Sequence, residues 1–472
     1  MKIYNTLLKS RSLEDIAPMD GKTVRIYSCG PTVYDHAHIG NLSAYVFADM
    51  LHRSISLAGY DIEHVMNYTD VDDKTIRRSH EKYPDEDPMI ALKKLTDTYI
   101  TLFNEDMQRI GNDISGITFV RATDTRTIDG MRQLITDLHK KGFAYIADDG
   151  VYFSIEAYRK AGKTYGQLLH ITVENTSEAR IQNDEYDKES AHDFALWKTQ
   201  KNNEPAWEFT LGGKDLTGRP GWHIECSVMS AQHLRQPFDI HTGGVDLIFP
   251  HHENEIAQST ALTEDPVMAR IFAHNEHILV EGKKMAKSAQ NFYTLADVIA
   301  KGYDPLAFRL KLLQSHYRSQ VDFSWESLEA AQNLLTSLRA WADLKYQKIA
   351  HSGTTAGSSY AQALKDMLAS TQDDLNTPKA LSILSSLASE AEQRGVDEDK
   401  IQSLLNLVDR LFGLQLSERL NITQAQKALI KTREDARDAK DWDQADKLRD
   451  ELQKQRIAIR DTANGSIWYR TN

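Results

Sequence analysis

The sequence has few of the features that mark secreted, membrane or strongly basic proteins. Only two of its 472 residues are cysteine, which excludes a fold held together by a framework of disulfides. It has no apolar run long enough to cross a bilayer, and its start lacks the basic and then apolar pattern of a signal peptide. These absences predict a reduced, cytoplasmic protein that does not enter a membrane.

The chain also lacks an excess of positive charge. Its formal net charge is −12, whereas a strongly basic surface is the usual mark of a nucleic-acid-binding protein. The net charge is only an average, and lysines and arginines are mixed with acidic residues near the C-terminus. Charge therefore leaves RNA binding open. Hydrophobic residues make up 41 % of the chain, which is enough to build several cores.

Both cysteines stand in segments with the character of an active site. Cys29 lies in the run Ser-Cys-Gly-Pro, and Cys226 ends the run Gly-Trp-His-Ile-Glu-Cys. His251 and Glu255 are four residues apart, so both would project from one face of a helix. Two thiolates, an imidazole and a carboxylate are ligands that zinc accepts, although two buried free thiols would leave the same pattern. The acidic run at residues 70–73 is left out of this set, because such carboxylates more often form turns and caps.

A β-branched apolar run at residues 23–28 is followed by a short loop and then by a helical pattern. The helical pattern places Leu42 and Val46 on one face. A strand, a tight loop and a helix in this order direct the free N–H groups of the first helical turn toward a phosphate. His38 and Asn41 stand at this junction, where ordinary helix-start roles are the simpler interpretation.

A basic loop at residues 281–288, with the sequence Glu-Gly-Lys-Lys-Met-Ala-Lys-Ser, is a second candidate for binding phosphates. Lys284 and Lys287 lie three residues apart and are spaced to hold a polyphosphate between them. A charged run of this size is also typical of a solvated loop. The loop is therefore a good candidate for a phosphate-binding site only in combination with the other motifs.

Together these segments resemble a known family. His-Ile-Gly-Asn at residues 38–41 is similar to the HIGH signature of class I aminoacyl-tRNA synthetases, and Lys-Met-Ala-Lys-Ser at residues 284–288 is similar to their KMSKS signature. The runs at residues 31–41, 221–226 and 249–255 resemble the cysteinyl-tRNA synthetases in particular. The resemblance extends over nearly the whole chain. It implies a ligase that activates L-cysteine with ATP, releases pyrophosphate and transfers the cysteine to the 3′-terminal adenosine of tRNA(Cys).

The resemblance also implies roles for individual residues. The implied zinc ligands, for one ion per chain, are Cys29, Cys226, His251 and Glu255. The implied catalytic and ATP-binding residues, acting with Mg²⁺, are His38, Gly40, Asn41, Gly243, Gly244, Asp246, Lys284 and Lys287. The implied cysteine-binding residues are Thr69 and Trp222. The implied anticodon-binding residues are Arg437, Trp442, Asp446, Arg449 and Asp461.

Several of these residues have simpler interpretations. Asp246 is also compatible with a turn residue, and Trp222 is also compatible with a core aromatic. His252 competes with His251 because it lies three residues from Glu255, although the resemblance favours His251. The charged C-terminal residues are also typical of a helix with surface ion pairs.

A zinc ion would explain how cysteine is distinguished from serine, which differs from it by one atom. A pocket that reads shape alone separates such similar molecules by only about 1–3 kcal/mol. A thiolate bonded to zinc differs far more from a hydroxyl, because the metal accepts soft sulfur and lowers the pKa of a thiol. Four protein ligands normally form a closed structural site. The resemblance implies that the substrate sulfur enters as an additional ligand.

The sequence departs from the family pattern at four places. They are Leu42-Ser43, Leu216-Thr217, Thr242 and Ala286. The two lysines of the basic loop and the four proposed metal ligands are present despite these changes. The departures therefore concern the ATP contacts and the basic loop rather than the class of reaction.

The order of the predicted elements indicates an α/β fold with a Rossmann-type parallel sheet. Strands are predicted at residues 23–28, 63–67 and 238–241, and a polar, acid-rich stretch interrupts them. After Thr294 a capping pattern opens a helix, and everything that follows has helical character. The predicted domains are a Rossmann catalytic core (1–125 and 205–265), a connective insertion (126–204), a stem-contact region with the KMSKS-like loop (266–330), a helical domain (331–418) and a small C-terminal anticodon-binding domain (419–472).

Two other functions are compatible with the motifs. A cysteine:amino-sugar ligase of the mycothiol type would use the same zinc and ATP chemistry, but it would not need the C-terminal domain. An inactive RNA-binding paralogue would not need His38, Lys284 and Lys287. The sequence favours a monomer that binds tRNA(Cys), ATP and L-cysteine, and that binds neither DNA nor a membrane.

Overall fold

The computed structural model of the chain describes residues 1–8, 10, 12–169, 193–201, 203–285, 291–347, 356–394, 398–462 and 465–471. The strands are β1 (Lys2–Tyr4), β2 (Leu13–Asp15), β3 (Thr23–Ser28), β4 (Asp61–Tyr68), β5 (Ile117–Arg121), β6 (Ala144–Ala147), β7 (Gly150–Phe153), β8 (Phe194–Thr199), β9 (Thr210–Leu211), β10 (Lys214–Asp215), β11 (Gly218–Pro220), β12 (Phe238–Gly244), β13 (Ala269–Asn275), β14 (Ile278–Val280), β15 (Lys283–Lys284), β16 (Val321–Phe323), β17 (Ile457–Thr462) and β18 (Gly465–Arg470). The helices are α1 (Ile39–Leu57), α2 (Asp73–Lys82), α3 (Pro88–Arg109), α4 (Thr125–Lys140), α5 (Ile155–Lys160), α6 (Trp222–Leu234), α7 (Glu253–Thr260), α8 (Leu295–Ala300), α9 (Pro305–Leu313), α10 (Trp325–Asp343), α11 (Ala356–Gln372), α12 (Thr377–Arg394), α13 (Glu398–Phe412), α14 (Gln424–Asp438) and α15 (Trp442–Lys454).

The chain divides into two units. The first unit comprises residues 1–295 and 317–322, and the second comprises residues 296–316 and 323–472. None of the helices in the described ranges combines the length and the apolarity that crossing a bilayer requires.

Five parallel strands form the central sheet of the first unit, in the order β13-β12-β3-β4-β5. Numbered in chain order, the five strands are arranged 3-2-1-4-5, which is the strand order of a doubly wound Rossmann-type fold. The order reverses between β3 and β12. Such folds bind ligands at the carboxyl ends of the strands beside this reversal. The predicted α/β fold with a Rossmann-type parallel sheet is confirmed.

The central sheet is apolar because helices cover it. Phe238 and Ile240 of β12 and Ile26 of β3 are wholly buried. Helix α1 packs against β4, β12 and β13, and its predicted apolar face, which includes Leu42 and Val46, is buried. Each apolar side chain of this size contributes about 1.5–3 kcal/mol when it is fully buried. This packing fixes the direction in which α1 leaves the end of β3.

A four-stranded antiparallel sheet, in the order β11-β8-β7-β6, lies in the chain between β5 and β12. Its core is aromatic: the rings of Phe153 and Phe194 stack with centroids 5.1 Å apart, and Trp197 packs on Phe209 with centroids 5.1 Å apart. The sheet begins at Ala144 and includes β11, which lies after residue 204. The predicted boundaries of the domains stay predictions.

The expectation that everything after Thr294 is helical is wrong at two places in the described part of the chain. Residues 321–323 form β16, which lies beside β14 in a three-stranded sheet, and β17 and β18 form an antiparallel hairpin. In β16 the first and third residues are buried and the middle residue is exposed. This is the alternation of a strand, but three residues are too few for the pattern to stand out in a sequence.

Buried polar contacts hold the C-terminal hairpin within the second unit. Asp343 at the end of α10 accepts two hydrogen bonds of 2.7 Å from the guanidinium of Arg419 and one of 3.0 Å from the N–H of Arg470. Gln347 pairs with the main chain of Trp468 through both ends of its amide, at 2.8 Å each. Each of these buried groups has a partner, as stable interiors require.

We expect Asp343→Ala to destabilise the second unit by about 3–5 kcal/mol, because it removes the only carboxylate that the described residues offer to the largely buried guanidinium of Arg419. Hydrogen exchange at β17 and β18 should become faster, since the Arg470 N–H also loses its acceptor. Asp435→Ala is the matched control, because it removes an exposed ion pair with Lys431 that is worth less than about 1 kcal/mol. Equal protection of the hairpin in both variants would contradict this role of Asp343.

Candidate active site and metal centre

The four predicted zinc ligands converge at the carboxyl ends of β3 and β12. Cys29 directly follows β3, Cys226 lies on α6, and His251 and Glu255 lie on either side of the start of α7. One ligand atom from each residue lies within 4.8 Å of the others. These four residues are named the thiol cluster here. Their convergence is a property of the fold, and their role as zinc ligands stays a prediction.

The geometry of the thiol cluster fits a tetrahedral ion. The sulfurs of Cys29 and Cys226 are 4.0 Å apart, and two sulfurs bound to one zinc at about 2.3 Å each would lie about 3.8 Å apart in a tetrahedron. His251 Nε2 lies 2.8 Å from Glu255 Oε1, so these two groups face one point. Cys29 is partly exposed and the other three residues are buried. Two soft sulfur donors with a nitrogen and an oxygen donor suit zinc.

The two thiols are unlike in protonation. Burial by itself would raise the pKa of Cys226, but hydrogen bonds from Cys29 and His251 outweigh it and lower that pKa to about 6. Burial raises the pKa of the Cys29 thiol well above its usual value, and the neighbouring Cys226 raises it further. Cys226 is therefore the more acidic of the two thiols.

Opposite charges balance the other half of the cluster. Burial disfavours the charged forms of both His251 and Glu255, but their mutual attraction outweighs it. The attraction of Glu255 raises the pKa of His251 to about 10, and the attraction of His241, followed by that of His251, lowers the pKa of Glu255 to about 2. The carboxylate is therefore ionised over the whole neutral range.

Sequence reasoning missed two buried histidines that hold the ligands from behind. His223 Nδ1 lies 2.9 Å from His251 Nδ1, and His241 Nε2 lies 2.7 Å from Glu255 Oε2. Each contacts the atom of a ligand that faces away from the cluster, which is how outer residues orient metal ligands. His241 Nδ1 also bonds to the Tyr27 carbonyl at 3.1 Å.

A second set of converging ligand atoms overlaps the thiol cluster. It contains Cys29, His241, His252 and Glu255. His252 Nε2 lies 3.4 Å from the sulfur of Cys29, and its Nδ1 lies 2.8 Å from His274 Nε2. Burial and the surrounding imidazoles lower the pKa of His252 well below its usual value, so the ring is neutral. The choice between His251 and His252 as ligand therefore remains a prediction.

The two predicted cysteine-binding residues lie beside the cluster. Trp222 is half-buried and stacks on the ring of His251, with centroids 4.1 Å apart and an angle of 19° between the planes. Thr69 directly follows β4 and its hydroxyl donates to Glu225 Oε2 at 2.8 Å. Glu225 precedes Cys226 and is wholly buried, and its Oε1 has no hydrogen-bond partner among the described residues. Burial, together with the charge of Cys226, raises the pKa of Glu225 well above its usual value.

The predicted strand, loop and helix are confirmed as β3, the residues that follow it and α1, and their role in binding phosphate stays a prediction. His38 caps α1: its Nδ1 accepts the Asn41 N–H at 3.1 Å, and Asn41 Oδ1 accepts the His38 N–H at 3.3 Å. Because Nδ1 accepts, the proton of a neutral ring is on Nε2. The first turn of α1 contains no acidic residue, which favours an anion there. A Cβ on Gly40 would lie 2.4 Å from Met285 Cε, so glycine allows the basic loop to approach this turn.

The structure describes the surroundings of only some of the remaining predicted ATP-binding residues. Gly243 and Gly244 end β12 beside the reversal of strand order, and a Cβ on Gly243 would lie only 2.9 Å from a neighbouring side chain. Asp246 follows in a short 3-10 turn, where its side chain is half-exposed. The backbone of Lys284 pairs with β14, and Lys287 lies outside the described residues. The structure therefore places the two glycines and Asp246 at the end of β12, and the ATP-binding roles of these residues and of the two lysines stay predictions.

Two of the predicted anticodon-binding residues contact each other in the second unit. Asp461 on β17 accepts hydrogen bonds of 3.0 and 2.9 Å from the guanidinium of Arg433 and also pairs with Arg437 on α14. The bonds from Arg433 are the main cause that lowers the pKa of Asp461 to about 2. Arg433 was not singled out from the sequence, and it is almost completely buried. The simpler interpretation of these charged residues as ion pairs therefore describes Arg437 and Asp461.

The other three predicted anticodon-binding residues lie on α15. Trp442 is the first residue of the helix, and 57 % of its surface is exposed. Asp446 and Arg449 are exposed on the same helix. A large aromatic ring open to solvent at this place is available for stacking.

Comparisons with known proteins cover nearly the whole chain. A family model described as tRNA synthetases class I (C) catalytic domain matches residues 15–333, and one described as Cysteinyl-tRNA ligase anticodon binding domain matches residues 421–470. The chain is 40 % identical over 490 residues to the cysteine–tRNA ligase of Chlamydia muridarum, with 98 % of each chain covered. It is 38 % identical over 483 residues to that of Solibacter usitatus, with 100 % of this chain and 99 % of the relative covered.

The fold is similar to that of methionyl-tRNA synthetase from Mycobacterium tuberculosis, whose structure contains methionyl-adenylate. The TM-score is 0.57 at 14 % identity, and the match covers 84 % of this chain and 89 % of that chain. At this level of identity the similarity concerns the fold.

We expect the pair of His251 and Glu255 to stabilise the metal-free protein most between pH 4.5 and 6.5. The pKa of Glu255 is lowered from 4.5 to about 2, so its contribution is lost as the pH falls below 4.5. The pKa of His251 is raised from 6.5 to about 10, so its contribution is lost as the pH rises from 6.5 toward 10. Urea unfolding of chelator-treated wild type and His251→Gln should show the largest difference within this window.

His233→Gln is the control for this experiment. Burial lowers the pKa of His233, so the effect of this substitution should not fade as the pH rises. A pH-independent difference between wild type and His251→Gln would show that the pair does not carry the predicted charges.

Proposed function

The chain belongs to the cysteine–tRNA ligase family of class I aminoacyl-tRNA synthetases, and we propose that its thiol cluster holds the zinc ion with which it selects cysteine. Its activity is the ATP-dependent ligation of cysteine to tRNA. The observation that carries the zinc proposal is the meeting of both cysteines of the chain with an imidazole and a carboxylate at the reversal of strand order.

The residues of the thiol cluster are prepared to bind a cation at neutral pH. Cys226 has a pKa of about 6 and Glu255 has a pKa of about 2, so both are anionic. His223 and His241 orient two of the ligands from behind. When bound, zinc supplies a Lewis acid that prefers sulfur to oxygen and lowers the pKa of a thiol. Bonding of this kind separates cysteine from serine more sharply than shape, which is worth only about 1–3 kcal/mol.

Adenylate formation needs positioning and charge neutralisation more than acid–base chemistry. The carboxylate of cysteine attacks the α-phosphate of ATP and expels pyrophosphate. In our proposal His38 donates from Nε2 to a phosphate oxygen, and the N–H groups at the start of α1 bind the triphosphate. Lys284 and Lys287 neutralise the developing charge from the basic loop, together with the Mg²⁺ that accompanies ATP.

The ribose and the cysteine are assigned to the residues around the phosphate site. Gly243 and Gly244 allow the ribose to approach the backbone closely, and the carboxylate of Asp246 accepts hydrogen bonds from its hydroxyls. Thr69 and Trp222 border the thiol cluster and are proposed to bind cysteine. These assignments place the cysteine carboxylate between the thiol cluster and the α-phosphate.

The second step transfers cysteine to the terminal adenosine of tRNA(Cys), first to the 2′-hydroxyl as the class implies. We assign recognition of the anticodon to the C-terminal domain, where exposed Trp442 offers a ring on which a base can stack. Arg437, Asp446, Arg449 and Asp461 are proposed to contact base edges. An amino-sugar ligase would not need this domain. The monomeric state and the cytoplasmic location stay predictions from the sequence.

We expect Cys226→Ala to lose zinc and cysteine-dependent pyrophosphate exchange together, because it removes the thiolate of the cluster. Metal content should be measured by elemental analysis, and exchange should be measured with zinc present. Val228→Ala is the matched control, since it truncates a buried apolar side chain on the same helix and should keep both properties. Full metal content in Cys226→Ala would show that the ligand set is wrong. Absence of cysteine-dependent exchange in the wild type would contradict the proposed reaction.

We expect Trp442→Ala to weaken charging of tRNA(Cys) by about 5- to 150-fold in kcat/KM, because stacking of one base is worth about 1–3 kcal/mol. Pyrophosphate exchange should be unchanged, since it does not involve tRNA. Leu420→Ala is the matched control, because Leu420 is an exposed apolar residue of the same domain, with 74 % of its surface exposed. A tRNA transcript with an altered anticodon should be charged poorly by the wild type and should be little affected by Trp442→Ala. Equal loss of exchange and charging would contradict the assignment of this domain.

A further inference from the structure

The two sulfurs of the thiol cluster come from parts of the chain that are far apart. Cys29 and Cys226 are separated by 197 positions. Cys29 follows a strand, whereas Cys226 lies on a helix. Their sulfur–sulfur distance of 4.0 Å is close to the spacing of about 3.8 Å that a tetrahedral zinc requires. Helix α6 packs against β3 and β4, and polar contacts between the two cysteine-bearing segments add to that packing.

A directed row of hydrogen bonds joins the residue after Cys29 to the residue before Cys226. The Gly30 N–H donates to Asn67 Oδ1 at 2.8 Å, and Asn67 Nδ2 donates to Thr69 Oγ1 at 3.1 Å. The Thr69 hydroxyl then donates to Glu225 Oε2 at 2.8 Å. The row formed by Gly30, Asn67, Thr69 and Glu225 is named the thiol-spacing chain here.

Every direction in the thiol-spacing chain follows from its first donor. A backbone N–H only donates, so the side-chain oxygen of Asn67 must face Gly30 and its NH₂ must face Thr69. Thr69 Oγ1 therefore accepts from Asn67, and its own hydrogen goes to Glu225. Glu225 ends the row as the acceptor that this order requires.

The side chains of the thiol-spacing chain are buried, so water does not compete for their hydrogen bonds. Asn67, Thr69 and Glu225 are at most 1 % exposed. A Cβ on Gly30 would lie 1.7 Å from the carbonyl oxygen of Asn67, so the segment after β3 lies directly against the end of β4. Removing one partner from such a site leaves another buried group unsatisfied.

Glu225 contributes no atom to either set of converging ligand atoms in the described part of the chain. Any influence on a bound ion must therefore pass through other residues. Its carboxylate is a neighbour of Cys226 in sequence and contacts Thr69 across the site, and Thr69 leads back to the segment of Cys29.

We infer that Glu225 is a positioning residue: through the thiol-spacing chain it sets the distance between the sulfurs of Cys29 and Cys226, and thereby the affinity for zinc. This inference rests on the proposed zinc site. It assigns to Thr69 a role in holding the metal ligands in addition to its proposed contact with cysteine.

The test compares Glu225→Ala with Glu225→Gln. Zn²⁺ affinity is measured by competition with a chromogenic chelator, and Co²⁺-loaded protein is examined for its d–d bands and its thiolate-to-cobalt charge-transfer band. Loss of an outer residue of a metal site typically weakens metal binding by about 10- to 100-fold, and we expect a loss of this size for Glu225→Ala with an altered Co²⁺ spectrum. Glu225→Gln keeps an oxygen that accepts from Thr69 and should stay close to the wild type in both measurements.

Thr69→Val is the second variant, because it removes the hydroxyl and keeps the shape of the side chain. It should lose zinc affinity as Glu225→Ala does, and it decides the question if Glu225→Ala does not fold. Asp239→Asn is the matched control: Asp239 is a buried carboxylate that accepts from the N–H groups of Met19 and Arg25 near the start of β12. Its replacement should lower stability and leave zinc affinity and the Co²⁺ spectrum unchanged.

Unchanged zinc affinity in both Glu225→Ala and Thr69→Val would overturn the inference. An equal loss in Glu225→Gln and Glu225→Ala would also overturn it, because the charge and not the hydrogen bond would then matter. If the wild type itself binds no stoichiometric zinc, the proposed zinc site fails first, which is a distinct result.

Discussion

The reversal of strand order between β3 and β12 is the constraint on which the site depends. The carboxyl ends of two neighbouring parallel strands are held side by side there. Each strand leads directly into a different group of proposed site residues. β3 continues into Cys29 and then into the His38 turn, while β12 carries His241 and ends in the glycines at 243–244. The thiol cluster and the proposed nucleotide site therefore share the same two strand ends. A shift of either strand would disturb the proposed metal ligands and the proposed phosphate contacts together.

Burial makes the polar groups around the thiol cluster mutually dependent. A charged or polar side chain in a dry interior is stable only when it is paired. Glu255 illustrates this, since it is wholly buried and its oxygens contact His251 and His241. His241 in turn requires the carbonyl of Tyr27. The ligands are thus held by a closed set of contacts, and such prior order reduces the entropy that metal binding would otherwise have to overcome.

The sequence predicted the Rossmann-type parallel sheet from local patterns and, through the family resemblance of its motifs, the meeting of the four cluster residues, but it did not predict β16 or the C-terminal hairpin. It was not sufficient for the residues that support the cluster. His274 reaches His252 because β13 pairs with β12, which sets His274 opposite Gly243, and no spacing along the chain encodes that neighbour. Glu225 is next to Cys226 in the sequence, but its contact with Thr69 joins residues that are 156 positions apart. Local sequence patterns do not report how elements that are distant in the sequence pack against each other.

The departures from the family pattern have local compensation where the structure describes them. A residue with a side chain stands at Thr242 in place of a glycine, and it is buried beside the thiol cluster. Its hydroxyl lies 2.7 Å from that of Ser28, which in turn lies 2.8 Å from His64 Nε2. At a second altered position the Ser43 hydroxyl donates to the carbonyl of Gly40 at 2.7 Å. Each added hydroxyl has a partner, so neither change leaves an unsatisfied buried group that would distort the strand end or the phosphate-binding turn. The site can therefore keep its geometry while these positions vary.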